Sequence, residues 1–185
     1  EDTLFTNLPK KIKCAGRSIS EYDMDIPASL TAKEILIRSG NIGSIKIAQK
    51  VGIENFKNFL ENLDLLNKIQ FDIDEVGNPI PFKWGKCKLA TSAYGHGITT
   101  TPLQLAKAYA IIANGGYKIT PTLIKQEKYL KRGEQIISEE NSKKINDILR
   151  KIVTNEQGTA NLANIPGYEI AGKTGTAQKS IKGKY

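Results

Sequence analysis

From Tyr168 to Lys179 the sequence alternates with a period of two, while most of what precedes it is patterned for helices. A strand cannot satisfy its own backbone donors and acceptors, and one hairpin makes no stable sheet. This stretch must therefore pair with Tyr117 to Lys128 and Gln135 to Ile137, which read as strands around Lys131-Arg132-Gly133, or with sequence outside these 185 residues. Helices first and strands late give an α+β order.

The helices have clear starts. Thr31-Ala32-Lys33-Glu34 is a capping box that predicts a helix to about Arg38. Ser39-Gly40-Asn41 interrupts it, and Ile42 to Val51 resumes with apolar residues at helical spacing. Glu54 to about Leu65 sets Phe56, Phe59, Leu60 and Leu63 on one face. Thr101-Pro102-Leu103-Gln104 combines an N-cap, a proline at the first helical position and a glutamine at the third, and that helix runs to Asn114 and stops at Gly115-Gly116. Ser138 starts another, ending near Val153. Residues 1–28 read as loop with short strands, 70–95 as irregular, and Asn155 to Pro166 as loop with one helical turn.

With 39% apolar and 25% charged residues the chain is long enough for one globular domain with a core. No apolar run approaches the roughly 18 residues of a membrane span, and no signal peptide opens the chain. It begins Glu1-Asp2, so an excised piece is expected. Twenty-seven basic against 19 acidic residues give a net charge of +8. Only Arg17, Arg38, Arg132 and Arg150 are arginines, and no aromatic-arginine interleaving marks a stacking platform. No nucleic-acid partner is expected. Cys14 and Cys87 are too few for a disulfide framework. A bridge between them cannot be read from spacing, and two buried free thiols are the expectation. With His96 the sole histidine, no metal site is expected.

Two short elements carry chemistry. A serine hydroxyl such as that of Ser39 both donates and accepts, so it can pass a proton, and the Asn41 amide beside it can hold a substrate carbonyl. Alone, Ser-Gly-Asn is also ordinary loop chemistry. In the late strand, Lys173-Thr174-Gly175-Thr176 offers an ammonium and hydroxyls for a carboxylate, and glycines in a strand mark close backbone approach. Alone, it reads rather as an edge strand kept soluble by lysine.

Together, Ser-x-Asn and Lys-Thr-Gly are two of the three elements of the penicillin-recognising serine acyl transferases, here 134 residues apart. The chain resembles a class B penicillin-binding protein, most closely the septal (cell-division) peptidoglycan D,D-transpeptidase family. The resemblance covers nearly the whole chain. It rests on Leu36-Ile37-Arg38-Ser39-Gly40-Asn41-Ile42-Gly43, on Tyr94-Gly95-His96-Gly97-Ile98, on Thr101-Pro102-Leu103-Gln104-Leu105-Ala106 with Ala113-Asn114-Gly115-Gly116, and on Ala171-Gly172-Lys173-Thr174-Gly175-Thr176-Ala177.

The resemblance implies part of the penicillin-binding, β-lactamase-like transpeptidase fold, a helical lobe plus part of an antiparallel sheet. It implies an acyl-enzyme mechanism in which a serine of a Ser-x-x-Lys motif attacks a D-Ala-D-Ala amide of a peptidoglycan stem peptide. Ser39 is then placed in proton transfer, Asn41 on the substrate amide, and Lys173 beside Ser39 as an electrostatic anchor. Thr174 and Thr176, around Gly175, hold the carboxylate of substrate or β-lactam, and the Thr176 amide is an oxyanion donor. Tyr94 is a cleft wall. The family often has a second tyrosine where His96 stands, and we expect a surface-loop imidazole replacing an aromatic rim; lining the cleft, it would be a substrate contact. No cofactor is implied. Stem peptides, β-lactam antibiotics and division-machinery proteins are the implied partners. The implied location is the periplasmic side of the cytoplasmic membrane, on an anchor not in these residues.

No Ser-x-x-Lys occurs in the 185 residues. By the family pattern it would lie upstream of Glu1, and the strands and helix that close the domain would follow Tyr185. Residues 1–185 are thus expected to be a central fragment of one transpeptidase domain, inactive in isolation. The alternatives are a β-lactam sensor or β-lactamase-like domain, whose corresponding spacing is shorter, and a non-catalytic interaction module.

Overall fold

Thr31 opens the first helix as its spacing predicts: Glu34 N donates to Thr31 Oγ1 at 3.3 Å, and Thr31 N donates to Glu34 Oε2 at 2.7 Å. The computed structural model describes residues 1–125 and 132–175, which fall into two compact units. The first comprises 1–50, 85–97 and residues from Ile148 onward; the second comprises 51–84 and 98–147.

In the first unit, β1 (Leu4–Phe5) pairs antiparallel with β4 (Leu30–Thr31), and β2 (Lys11–Cys14) with β3 (Arg17–Ser20). Helix α1 (Ala32–Ile37) leads into α2 (Asn41–Val51). The two helices touch at Gly43, where a Cβ would lie 2.6 Å from Ile35, so only glycine permits this approach. One apolar cluster joins Leu8, Ile26, Leu30 and Ile35; another joins Ile19, Ile42, Ile45 and Ala90, with Ile12, Cys14, Ala93 and Tyr94 against it. Helix α4 (Lys86–Ala93) belongs to this second cluster. It falls in the stretch expected to be irregular. Its N-cap is Gly85, which offers no side-chain cap, so tertiary burial of Leu89 and Ala90 decides the helix.

Cys14 and Cys87 are bonded to each other, with Cα atoms 5.5 Å apart, which corrects the expectation of free thiols. The β2–β3 hairpin packs on α4 closely enough for the bridge, a proximity that a separation of 73 residues does not reveal.

In the second unit, α3 (Ile53–Asn62) and α5 (Pro102–Ala113) supply most of the order. Phe59, expected on the buried face of α3, is exposed, whereas Leu63 is buried with Ala108 and Ile111. Gln104 is fully buried: its Oε1 accepts from Thr101 N at 3.0 Å, and its Nε2 donates to Asp64 O at 2.9 Å and Asn67 O at 2.7 Å. Helix α6 (Glu139–Thr154) begins in this unit and ends in the first, to which its buried Ile148, Leu149, Ile152 and Val153 belong.

The expected hairpin around residues 131–133 is reduced, in the described residues, to a bridge between Tyr117 and Gln135. Asp72 captures the next residues instead, accepting from Thr122 Oγ1 at 2.7 Å and Leu123 N at 2.5 Å. Residues 168–175 form no strand either. Their backbone goes to α6: Gly172 N donates to Leu149 O at 3.2 Å, and Arg150 Nη1 donates to Ile170 O at 2.6 Å. The rest of that expected strand, including Thr176, and residues 126–131 lie outside the described residues. Helices with small antiparallel pairs make the chain α+β as expected, but the named strands among the described residues precede the helices instead of following them. No helix among the described residues is long and apolar enough to cross a membrane.

Candidate active site

Ser39-Gly40-Asn41 is the joint between α1 and α2. Gly40 N donates to Ile35 O at 2.9 Å and Ser39 N to Leu36 O at 3.2 Å, the two bonds that close a helix on a left-handed residue. That residue is Ser39, at φ +59°. Glycine is the usual occupant, because an L side chain costs about 1–2 kcal/mol in this conformation. The chain carries the cost and gains a hydroxyl where glycine has none.

Lys173 meets that hydroxyl. Its Nζ donates to Ser39 Oγ at 2.5 Å, to Thr174 O at 3.0 Å and to Thr174 Oγ1 at 3.3 Å, which places all three ammonium protons. Burial holds the Lys173 ammonium below the ordinary lysine value, since charge is disfavoured away from water. A less basic amine gives up a proton to a neighbouring oxygen more readily. The bonds from residues 170–172 to α6 fix the backbone that carries Lys173.

Asn41 starts α2. Its N donates to Glu21 Oε2 at 2.6 Å, and its Nδ2 to Ser20 O at 2.9 Å. Thr174 Oγ1 shares a hydrogen bond of 2.7 Å with Thr159 Oγ1. Thr159 follows Gly158, whose Cβ position lies 2.2 Å from Ile152 O, so only glycine lets the loop turn back this tightly after α6. Among the described residues, a Cβ at Gly172 or Gly175 would meet nothing within 4 Å.

Tyr94 and His96 lie apart from these hydrogen bonds. Tyr94 caps α4 and packs on the cluster that holds Ile42, in the first turn of α2; burial raises its phenol above the ordinary value. The His96 ring stacks on Tyr94 with centroids 4.8 Å apart, and its Nδ1 is buried without a partner among the described residues. It is thus half-buried rather than a surface-loop imidazole.

The structure therefore brings Ser39, Asn41, Lys173 and Thr174 into the first unit's hydrogen-bond network, with Gly175 beside them and Tyr94 and His96 in a neighbouring cluster. Sequence reading missed Glu21 and Thr159. Thr159 carried a signal, a glycine and a hydroxyl directly after a helix; Glu21 carried none, because its partners are 20 and 21 residues away.

Residues 1–185 match the family model of the penicillin binding protein transpeptidase domain. The chain is 32% identical over 170 residues to the probable peptidoglycan D,D-transpeptidase FtsI of Caulobacter vibrioides, covering 90% of this chain and 29% of that protein. Among solved structures it resembles the apo transpeptidase domain of Burkholderia pseudomallei penicillin-binding protein 3, with 26% identity, a TM-score of 0.89 and coverage of 100% and 56%. It also resembles penicillin-binding protein 3 of Mycobacterium tuberculosis complexed with aztreonam, with 25% identity, a TM-score of 0.83 and coverage of 98% and 44%. The chain spans less than a third of the length of the curated relative.

Proposed function

This chain belongs to the penicillin-binding protein transpeptidase domain family, and we propose that it forms the proton-transfer and carboxylate-binding part of a serine D,D-transpeptidase that cross-links peptidoglycan stem peptides at cell division. The observation that carries this is the 2.5 Å bond from Lys173 Nζ to Ser39 Oγ, between residues 134 apart in sequence.

The attacking serine comes from a Ser-x-x-Lys outside these 185 residues, where no such motif occurs. When that serine passes its hydroxyl proton to the lysine of its own motif and adds to the D-Ala-D-Ala carbonyl, and the amide C–N bond breaks, the leaving amine needs a proton. Ser39 gives its hydroxyl proton and takes one from Lys173, whose burial eases the release. The amine of a second stem peptide then attacks the acyl-enzyme, its proton returns through Ser39 to Lys173, and the ester C–O bond breaks as the serine takes its proton back from the lysine of its motif. Asn41 holds the substrate amide. Thr174 and Thr176 take the substrate carboxylate, and Gly172 and Gly175, whose Cβ positions meet nothing within 4 Å among the described residues, let a ligand backbone approach. A β-lactam uses the same groups. Tyr94 and His96 supply the wall. The domain works outside the cytoplasmic membrane, on an anchor beyond these residues, beside division-machinery proteins.

A fluorescent penicillin tests the reading. The 185-residue chain should take no covalent label, and the complete domain with its Ser-x-x-Lys should take one that ampicillin blocks. A complete domain that never labels would end this reading.

A further inference from the structure

One charged side chain is built into the site yet has no part in the chemistry above. Glu21 is only 7% exposed, and its two oxygens each accept a backbone N–H from the start of α2: Asn41 N at 2.6 Å and Ile42 N at 2.8 Å. We propose that Glu21 is the positioning residue of the Ser39-Gly40-Asn41 turn, and that its carboxylate fixes the backbone that presents Ser39 to Lys173 and Asn41 to substrate. This rests on the transpeptidase reading.

The turn needs support from outside. A helix start usually draws on a Ser, Thr, Asp or Asn at its own N-cap. That position is Gly40 here, and a Cβ on it would lie 2.9 Å from Ile26 Cδ1 and 3.8 Å from Glu21 Oε1. The space of a local cap is already filled, and Glu21 delivers an acceptor from 20 residues away. Both new bonds are charge-assisted, and the carboxylate sits where the α2 dipole favours negative charge.

Glu21 is itself anchored. Its N donates to Lys10 O at 3.0 Å, extending the β2–β3 hairpin, and that hairpin is tied to α4 by the Cys14–Cys87 bond. The preceding residue adds a third contact, Ser20 O accepting from Asn41 Nδ2 at 2.9 Å. This commits one Asn41 amide proton to the hairpin side and leaves Oδ1 without a hydrogen bond among the described residues. Ser20-Glu21 therefore grips Asn41 at backbone and side chain together, directly beside a serine held in a left-handed conformation.

The test uses the complete transpeptidase domain carrying this chain. Glu21→Gln keeps shape and one acceptor oxygen but turns an amide N–H toward a backbone N–H; Glu21→Ala removes both acceptors. Leu8→Ala, a buried apolar truncation in the same unit, is the stability control. Pre-steady-state kinetics with a fluorescent penicillin separate non-covalent affinity from the acylation step, and amide hydrogen exchange reads Asn41 and Ile42. Glu21→Gln should slow acylation about 10- to 100-fold, as small displacements of reacting groups do, with affinity unchanged. Glu21→Ala should slow it further, both variants should lose protection at the two amides, and Leu8→Ala should acylate at the wild-type rate. Wild-type acylation in Glu21→Gln, or a loss matched by Leu8→Ala, would overturn the proposal. A wild-type domain that takes no penicillin would bring down the transpeptidase reading and the catalytic role of Glu21 with it; that failure is distinct, because the two amides would still lose protection in the variants.

Discussion

Among the described residues, helices α1, α3 and α5 end with the same motif on different residues, α3 on Asp64 at φ +56° with Leu65 N donating to Leu60 O at 3.0 Å. Helix α5 closes with Gly116 N donating to Ile111 O at 3.0 Å, and its left-handed residue is Gly115, at φ +93°. Helix α1 closes with Gly40 N on Ile35 O at 2.9 Å, and its left-handed residue is Ser39, at φ +59°. Helix α5 follows local rules throughout: Thr101 caps it, Pro102 begins it and glycine ends it. Helix α1 has an equally good start in Thr31 and Glu34, then breaks the rule at its end, and the next helix takes its cap from Glu21. Where each residue suits its local conformation, the sequence is serving stability. Where a strained serine persists with its hydroxyl on a partly buried ammonium and its turn supported from a distant segment, the strain points to function.

The sharpest way to break this comparison is to remove the partner that the strained serine meets. In the complete domain, Lys173→Ala should slow acylation by penicillin by about 10²–10⁴, the range of a lost proton-transfer group, with the melting temperature little changed. A variant that acylates normally would leave Ser39 as a misplaced cap residue. The next largest effect belongs to the scaffold. Replacing Cys14 and Cys87 by serine should cost about 2–5 kcal/mol in denaturant unfolding, because the bridge closes a long loop. It should also loosen the hairpin that carries Glu21.

At α5 the expected effect is smaller and purely structural. Thr101→Ala should cost about 1 kcal/mol of unfolding free energy, the usual value of an N-cap, and leave acylation as it was. Acylation falling along with stability there would blur the distinction between the two junctions. The smallest effect is one of pH. The folded-state value of Lys173 lies below its unfolded value, so the unfolded chain binds more protons between the two. Stability should therefore rise with pH through that alkaline window, and below it the cost of the buried charge persists. Lys173→Met should flatten the rise, as thermal unfolding at a series of pH values would show.

The legible parts of the sequence were those governed by neighbours. The Thr31 and Thr101 capping boxes, the stop at Gly115-Gly116 and the helical turn at Asn161–Ala163 all depend on residues within a turn of one another. Helix α4 was illegible because burial rather than capping makes it, and the Cys14–Cys87 bond because it joins segments 73 residues apart. Of the hairpin expected around residues 131–133 the described residues show the Tyr117–Gln135 bridge, while Thr122 and Leu123 are bonded by Asp72, 50 and 51 residues away. In the site, Ser39, Asn41 and Lys173 could be named from motif spacing, but Glu21 could not. A single glutamate after a short strand has no pattern until the fold lays it against the start of another helix.

The most direct measurement is Ser39→Gly in the complete domain, with unfolding free energy and acylation rate taken side by side. Glycine suits the left-handed position and has no hydroxyl. The expected result is a protein at least as stable as the wild type that has lost most of its acylation rate. A variant that is less stable and still acylates at the wild-type rate would contradict the account, because the side chain at position 39 would then be serving the fold and not the chemistry.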